Sequence, residues 1–81
     1  MQTIITVEQH HVDRGRRSDP DACPIALALI ECTGQSWMID NYAAYCLTTG
    51  ASHNFDALTR SWIEAFDSGE SVLPLTFNFD L

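Results

Sequence analysis

The sequence predicts a single α+β domain, with two helices packed on one face of a mostly antiparallel or mixed sheet. The chain has 81 residues, which suits one domain and is too short for two packed cores. Two segments carry apolar residues at helical spacing, and residues 72–81 alternate between two faces as a strand does. Read in order, the segments over residues 1–81 give the pattern β-α-β-β-α-β.

The first part of the chain predicts one strand and one helix joined by a loop. Residues 3–8 are rich in β-branched side chains, which is typical of a strand. Residues 10–22 contain histidine, arginine, aspartate and proline, a composition typical of a loop. A helix over residues 24–32 follows, because Pro24 suits a first helical position and Gly34 suits a helix end. This helix is apolar on most sides, so we expect it to be central.

The central segment, residues 36–48, is aromatic and β-prone, and two interpretations of it remain open. In the first, two short strands are joined by a turn at Asp40-Asn41, since both residues tolerate turn geometry. In the second, the segment is one long strand. Residues 49–54 then form a loop with Gly50 as its hinge.

The last part of the chain predicts a second helix and a final strand. The helix covers residues 55–67, capped by Ser52 or Asn54 and followed by Gly69. Its apolar face consists of Phe55, Leu58, Trp62, Ile63 and Phe66. The final strand covers residues 72–81, and its buried face is expected to contain Leu73, Leu75, Phe77, Phe79 and Leu81. Pro74 removes a backbone donor and favours an edge position or the start of that strand.

Charge restricts the classes of partner. The net charge is −7, from 11 acidic and 4 basic side chains. Three of the arginines lie within residues 14–17, so the chain has one compact positive region and is otherwise predominantly negative. Such a surface repels nucleic-acid phosphates and attracts a basic surface on another protein. The sequence contains neither an apolar run of the roughly 20 residues that a membrane span needs nor a recognisable secretion signal, so we expect a cytoplasmic protein.

The first candidate site is an arginine loop beside the predicted helix start at Cys23-Pro24. Free N–H groups at a helix start suit an anion, and arginines add paired contacts to phosphate. The candidate ligand-binding residues are His10, His11, Arg14, Arg16, Arg17 and Cys23. In the alternative interpretation the loop is simply solvated, with its arginines paired to Asp13, Asp19 and Asp21.

The second candidate site is aromatic. A domain of this size cannot bury all its aromatic side chains, and exposed ones mark interfaces. The candidates for such an interface are Trp37, Tyr42 and Tyr45. A homodimer through a sheet face or edge would use this surface, since symmetric dimers are the commonest assemblies.

No catalytic residue, cofactor or metal is predicted. Cys23 lies at a helix start, where a thiol can be activated, but no catalytic-cysteine signature surrounds it. The spacings of the three cysteines and three histidines match no zinc pattern. We therefore expect a protein that binds rather than an enzyme.

Two stretches of the chain resemble a group of small proteins encoded by tailed phages and prophages. The first stretch is His11-Val12-Asp13-Arg14-Gly15 with Cys23-Pro24-Ile25-Ala26-Leu27-Ala28-Leu29. The second is Phe66-Asp67-Ser68-Gly69-Glu70-Ser71-Val72-Leu73-Pro74, with Phe77 and Leu81 beyond it. The group has no established activity, so the resemblance assigns no residue a role. It implies a viral origin and action in the host bacterial cytoplasm.

Two functions of different classes follow as hypotheses. The first is a non-enzymatic inhibitor of a host defence component, which binds a protein partner through the acidic surface. The second is a sponge that sequesters a phosphorylated, nucleotide-derived immune signal at the arginine loop and the adjoining helix start. The first predicts binding that weakens with salt, and the second predicts that Arg16→Ala with Arg17→Ala abolishes function without loss of the fold.

Overall fold

The computed structural model describes residues 2–80, without the side chain of Asp80. In that range the elements are β1 Gln2–Val7, α1 Gln9–Arg14, α2 Pro24–Thr33, β2 Trp37–Ile39, β3 Ala43–Cys46, β4 Ser52–Asn54, α3 Ala57–Asp67 and β5 Leu75–Asp80. The α+β class is confirmed, and α1 and β4 are additional to the predicted elements. Within the described range, each helix falls short of the length and apolar character that crossing a membrane requires.

The strands form two antiparallel sheets where a single sheet was expected. β1 pairs with β5, with Val7 opposite Leu75, and β2, β3 and β4 form a three-stranded meander with Trp37 opposite Cys46. The interpretation of two short central strands is confirmed, because the chain turns between β2 and β3 at Asp40. The short connections make β2, β3 and β4 pair with their sequence neighbours, which leaves the two terminal strands to pair with each other.

The core lies between the two sheets and α2. Phe79 of β5 stacks on Phe55 and on His53 of β4, with ring centroids 5.6 Å and 5.0 Å apart, so it joins the two sheets. Helix α2 contributes Ile25 and Leu29, both fully buried. Each such side chain stabilises the fold by about 1.5–3 kcal/mol relative to an exposed one. The prediction that the apolar first helix is central is confirmed.

Residues 10–22 include a helix, so the prediction of a continuous loop was wrong. Helix α1 begins after Glu8, whose side chain accepts from the backbone N–H of His11. In return, the backbone N–H of Glu8 donates to His11 Nδ1 at 2.9 Å. This is a capping box with Glu at the cap and His three residues later. Because neither residue is typical of its position, the sequence pattern did not indicate a helix.

The start of α3 also differs from the prediction. Asp56 caps this helix, and its Oδ1 accepts the backbone N–H of Thr59 at 2.8 Å. Ser52 and Asn54, the predicted caps, belong instead to β4, where a loop was predicted. Polar residues of low β-propensity form this strand because β3 supplies its hydrogen-bonding partner.

Two leucines assigned to buried faces are exposed. Leu58 is 79% exposed and Leu73 is 80% exposed. Strand β5 begins only at Leu75, directly after Pro74, so Leu73 precedes the regular alternation. The predicted burial of Leu81 concerns a position outside the described residues.

Candidate functional site

The arginine loop is tied to the far end of the chain. Arg17 Nε donates to the backbone oxygen of Phe66 at 3.2 Å, and its guanidinium carbon lies 5.8 Å from the Phe66 ring centroid. The backbone N–H of Ser18 donates to Asp67 Oδ1 at 2.9 Å. These contacts join the arginine loop to the C-terminal end of α3. Arg17 therefore has a role in the fold, although it is exposed, as are Arg14 and Arg16.

The start of α2 is buried and already capped. Cys23 Sγ accepts the backbone N–H of Ala26 at 3.4 Å, and Pro24 and Ile25 behind it are buried. Burial raises the pKa of the Cys23 thiol from 9.0 to about 11, despite hydrogen bonds from Ala26 and Ile25 that act in the opposite direction. The thiol is therefore protonated at neutral pH, so it is a weak nucleophile. Its helix start does not present free N–H groups to an anion in solvent.

Glu8, His10, His11 and Glu31, hereafter the histidine junction, join α1 to α2. His11 is 4% exposed, and its Nε2 lies 2.8 Å from Glu31 Oε2. His10 Nε2 lies 3.3 Å from the same carboxylate oxygen. Hydrogen bonds from His11 and then His10 lower the pKa of Glu31. Sequence analysis selected both histidines as ligand-binding candidates but missed their glutamate partners.

The histidine junction resembles a metal site in composition. One ligand atom from each of Glu8, His10 and His11 lies within 4.8 Å of the others. However, His11 Nδ1 accepts the Glu8 backbone N–H, so the proton of the neutral ring is on Nε2, which donates to Glu31. Neither ring nitrogen of His11 then has a free lone pair with which to bind a metal cation. The arrangement serves to cap α1 and to fasten it to α2.

The described residues form a cleft of about 480 Å³. It lies between the loop before α2, the β2–β3 turn and α3. Its floor is apolar and includes Ile25, Ile39, Trp62, Ile63 and Phe66. Its other lining residues include three carboxylates, Asp19, Asp40 and Asp67, and no Lys, Arg or His. We call this feature the acidic cleft.

Asp40 is held in place at the β2–β3 turn. Its Oδ1 accepts the backbone N–H groups of Tyr42 and Ala43, each at 2.7 Å, and its Oδ2 accepts the Tyr45 hydroxyl at 3.0 Å. Burial acts to raise the pKa of Asp40, but these three hydrogen bonds outweigh it and lower the pKa. This carboxylate is therefore negatively charged at neutral pH.

The other two carboxylates also accept backbone hydrogen bonds. Asp19 Oδ1 accepts the N–H of Asp21 at 3.1 Å, and Asp67 Oδ1 accepts the N–H of Ser18 at 2.9 Å. Each bond orients its carboxylate and leaves further acceptor sites, since an ionised carboxylate has about four. The acidic cleft thus combines oriented negative charge with an apolar floor.

The predicted aromatic interface is only partly exposed. Trp37 is 2% exposed, so its assignment as a surface residue was wrong. It lies on the inner face of β2, where its Nε1 donates to Thr33 Oγ1 at 2.8 Å and its ring is 6.4 Å from that of Phe79. Tyr42 is 67% exposed and lines the acidic cleft, while Tyr45 is 37% exposed.

The candidate residues of the arginine loop and the residues of the acidic cleft barely overlap. Cys23 alone belongs to both sets. Sequence analysis mentioned Asp19 only as a partner for arginine, and it gave Asp40 and Asp67 no role in a site. Carboxylates this far apart along the chain follow no motif, so only the folded chain brings them to one cleft.

Comparison of the chain with protein-family models, with curated proteins and with solved structures finds no match. The function proposed below therefore rests on the geometry and charge of the acidic cleft.

Proposed function

We propose that the protein is a non-enzymatic inhibitor that binds a basic surface on a protein partner, with the acidic cleft at the centre of the contact. The observation that carries this proposal is the combination of three carboxylates and an apolar floor in one concave site. Complementary charge accelerates association, and a buried apolar centre supplies most of the affinity in protein interfaces. The resemblance to phage proteins supports a bacterial defence component as the partner.

The chemistry of Cys23 supports a protein that binds rather than an enzyme. This thiol is the candidate nucleophile of the sequence, and burial keeps it protonated at neutral pH. Both ring nitrogens of His11, which could otherwise act as a base, are engaged by Glu8 and Glu31. A covalent mechanism would need both groups free to react.

The sponge hypothesis receives less support from the same geometry. Arg17 is used in a contact with α3, and the start of α2 is buried beneath its own cap. The carboxylates of the acidic cleft would repel a phosphate. Retention of a small molecule is therefore an outcome that would contradict the proposal.

The proposal is tested by expressing the protein in bacterial strains that each carry one active defence system. The measurement is the efficiency of plating of a restricted phage. In the strain where plating is restored, the partner is recovered by crosslinking and its affinity is measured with purified components. We expect binding that weakens as salt is added, because exposed charges are screened.

A matched pair of variants locates the contact. The cleft variant carries Asp19→Asn and Asp67→Asn, which preserve the Oδ1 acceptors. The control variant carries Asp13→Asn and Glu64→Gln, exposed acids outside the cleft lining, so both variants have the same net charge. We expect the cleft variant to lose partner binding and the control variant to retain it. Equal losses would contradict a role for the cleft, and failure to restore plating in every strain would contradict inhibition of defence.

Native mass spectrometry of the protein taken directly from these cells separates the two hypotheses. The proposal predicts the mass of the chain alone or with a protein partner. A retained mass of nucleotide size would instead support the sponge hypothesis and a ligand site at Arg14, Arg16 and Arg17.

A further inference from the structure

The dimensions of the acidic cleft suit a long side chain together with adjoining backbone. Its volume of about 480 Å³ falls within the roughly 300–1,000 Å³ typical of ligand sites. The floor is formed by apolar side chains from α2, β2 and α3, so the aliphatic part of an incoming group would be dehydrated. A purely aliphatic occupant would leave the carboxylates of the rim without a partner.

The aromatic part of the floor favours a flat cation. The rings of Trp62 and Phe66 are nearly parallel, with an interplanar angle of 5° and centroids 5.9 Å apart. Trp62 Nε1 donates to the backbone oxygen of Leu73 at 2.7 Å, which orients the indole ring. Aromatic faces attract cations, and a guanidinium group stacks on them better than a compact ammonium does.

The rim favours the same group. Asp19, Asp40 and Asp67 come from three separate parts of the fold, and none of the residues that line the cleft is basic. The planar guanidinium has five N–H donors and forms paired hydrogen bonds with carboxylates. An ammonium has three donors around one point, so it satisfies dispersed carboxylates less well.

From these observations we infer that the acidic cleft receives an arginine side chain from the basic surface of the partner. This inference rests on the proposed function, because it specifies the group on the partner that the cleft recognises. The side chain would place its stem on the apolar floor and its guanidinium between the carboxylates of the rim and the half-buried ring of Trp62, since Phe66 is 6% exposed and already contacts Arg17. None of the arginines of the arginine loop lines the cleft.

The experiment uses the isolated full chain and three small probes. The probes are acetyl-Gly-Arg-Gly-amide and its lysine and citrulline counterparts, and citrulline is the neutral analogue of arginine. Binding is followed by NMR through the Trp62 indole N–H and the backbone amides of Tyr42 and Ala43. Dissociation constants are compared in the wild type, in the cleft variant (Asp19→Asn, Asp67→Asn) and in the control variant (Asp13→Asn, Glu64→Gln).

We expect saturable shifts with the arginine peptide, weaker binding of the lysine peptide and none of the citrulline peptide. The cleft variant should bind the arginine peptide about tenfold more weakly, because two charged acceptors become neutral, whereas the control variant should match the wild type. An unchanged spectrum of each unliganded variant outside the substituted positions shows that it folds. Equal binding of arginine and lysine, equal binding of citrulline, or an absence of shifts would each overturn the inference.

Failure of this inference can be told apart from failure of the proposed function. Suppose that the arginine peptide does not bind, but the cleft variant still loses both partner binding and the ability to restore plating. The proposed function then stands without an arginine anchor. If the arginine peptide binds but the protein restores plating in no strain, the site stands and the proposed function fails.

Discussion

The histidine junction and the acidic cleft both contain ionisable side chains from distant parts of the chain. They differ in how those side chains are paired: groups of the same chain occupy the histidines, whereas the carboxylates of the cleft also face an open cavity. In the histidine junction, both ring nitrogens of His11 are paired with groups of the same chain, and the ring is 4% exposed. In the acidic cleft, backbone groups orient the carboxylates from one side and an open cavity lies on the other. Paired groups stabilise the fold, whereas oriented charge beside an empty apolar cavity is available for a ligand.

Substitutions in the two regions are therefore expected to change the free energy of unfolding by different amounts. Removing a buried, hydrogen-bonded group such as His11 leaves a cavity and breaks its hydrogen bonds, which costs about 1–3 kcal/mol of stability. Removing charge from a carboxylate that faces a cavity leaves the fold intact and changes only what the cavity attracts. The predictions below test that division, beginning with the largest effect on stability.

We expect His11→Ala to lower the free energy of unfolding by about 3 kcal/mol. The substitution removes the acceptor of the Glu8 N–H, removes the donor to Glu31 and leaves a cavity. Urea denaturation is the measurement, with His10→Ala as the control because that ring is more exposed. A loss no larger than that of the control would show that the burial of His11 and its two hydrogen bonds add no stability beyond what the exposed His10 supplies.

The thiol of Cys23 predicts a loss of stability at alkaline pH on the order of 2 kcal/mol. Its pKa is raised from 9.0 in the unfolded chain to about 11 in the folded protein. The folded state therefore holds the proton more tightly, so stability is complete below pH 9 and is lost as pH rises towards 11. Urea denaturation across this range should show the decline in the wild type and a smaller one in Cys23→Ala. If stability declines equally with pH in the wild type and in Cys23→Ala, the burial of the thiol is contradicted.

Gly15→Ala is expected to cost about 1–2 kcal/mol, because an added Cβ would lie 2.5 Å from the ring carbons of Pro24. Gly15 follows α1 directly, so this change tests the packing beside the histidine junction. In a Pro24→Ala background the same substitution should cost less, since the ring atoms that it strikes are gone. An equal cost in both backgrounds would show that the proline ring is not the cause, since only the backbone nitrogen of residue 24, 2.8 Å from the added Cβ, is common to both.

The cleft variant (Asp19→Asn, Asp67→Asn) should change stability by no more than about 0.5 kcal/mol. Asparagine retains the Oδ1 acceptor for each backbone N–H, so the geometry of the rim persists. Thermal unfolding beside the control variant (Asp13→Asn, Glu64→Gln) measures this. A much larger loss in the cleft variant would mean that these carboxylates serve the fold, and the contrast with the histidine junction would fail.

Prediction from sequence succeeded where the signal was local. The alternation of Phe77 and Phe79 in β5, the apolar run of α2 and the helix end at Gly34 all follow from spacing or single-residue preferences. It failed for α1 and β4, whose residues have weak intrinsic preferences. Those elements form because Glu8 and His11 pair across a capping box and because β3 provides an edge for pairing.

The candidate sites were harder to predict than the fold. The sequence pointed to the histidines and arginines because they are clustered along the chain, yet His11 and Arg17 are engaged in contacts that hold the fold together. It passed over Asp40 and Asp67 because each stands alone. Charge clustered in sequence is readily visible, whereas charge clustered in space is not.

The sequence alone established the α+β class, the central helix, most of the strands and the acidic character, since these depend on composition and short-range periodicity. The tertiary structure alone decided that the strands divide into two sheets, that Trp37 is buried and that Asp19, Asp40 and Asp67 meet around an apolar cleft. These features depend on contacts between residues far apart along the chain, and such contacts form only when the whole chain packs.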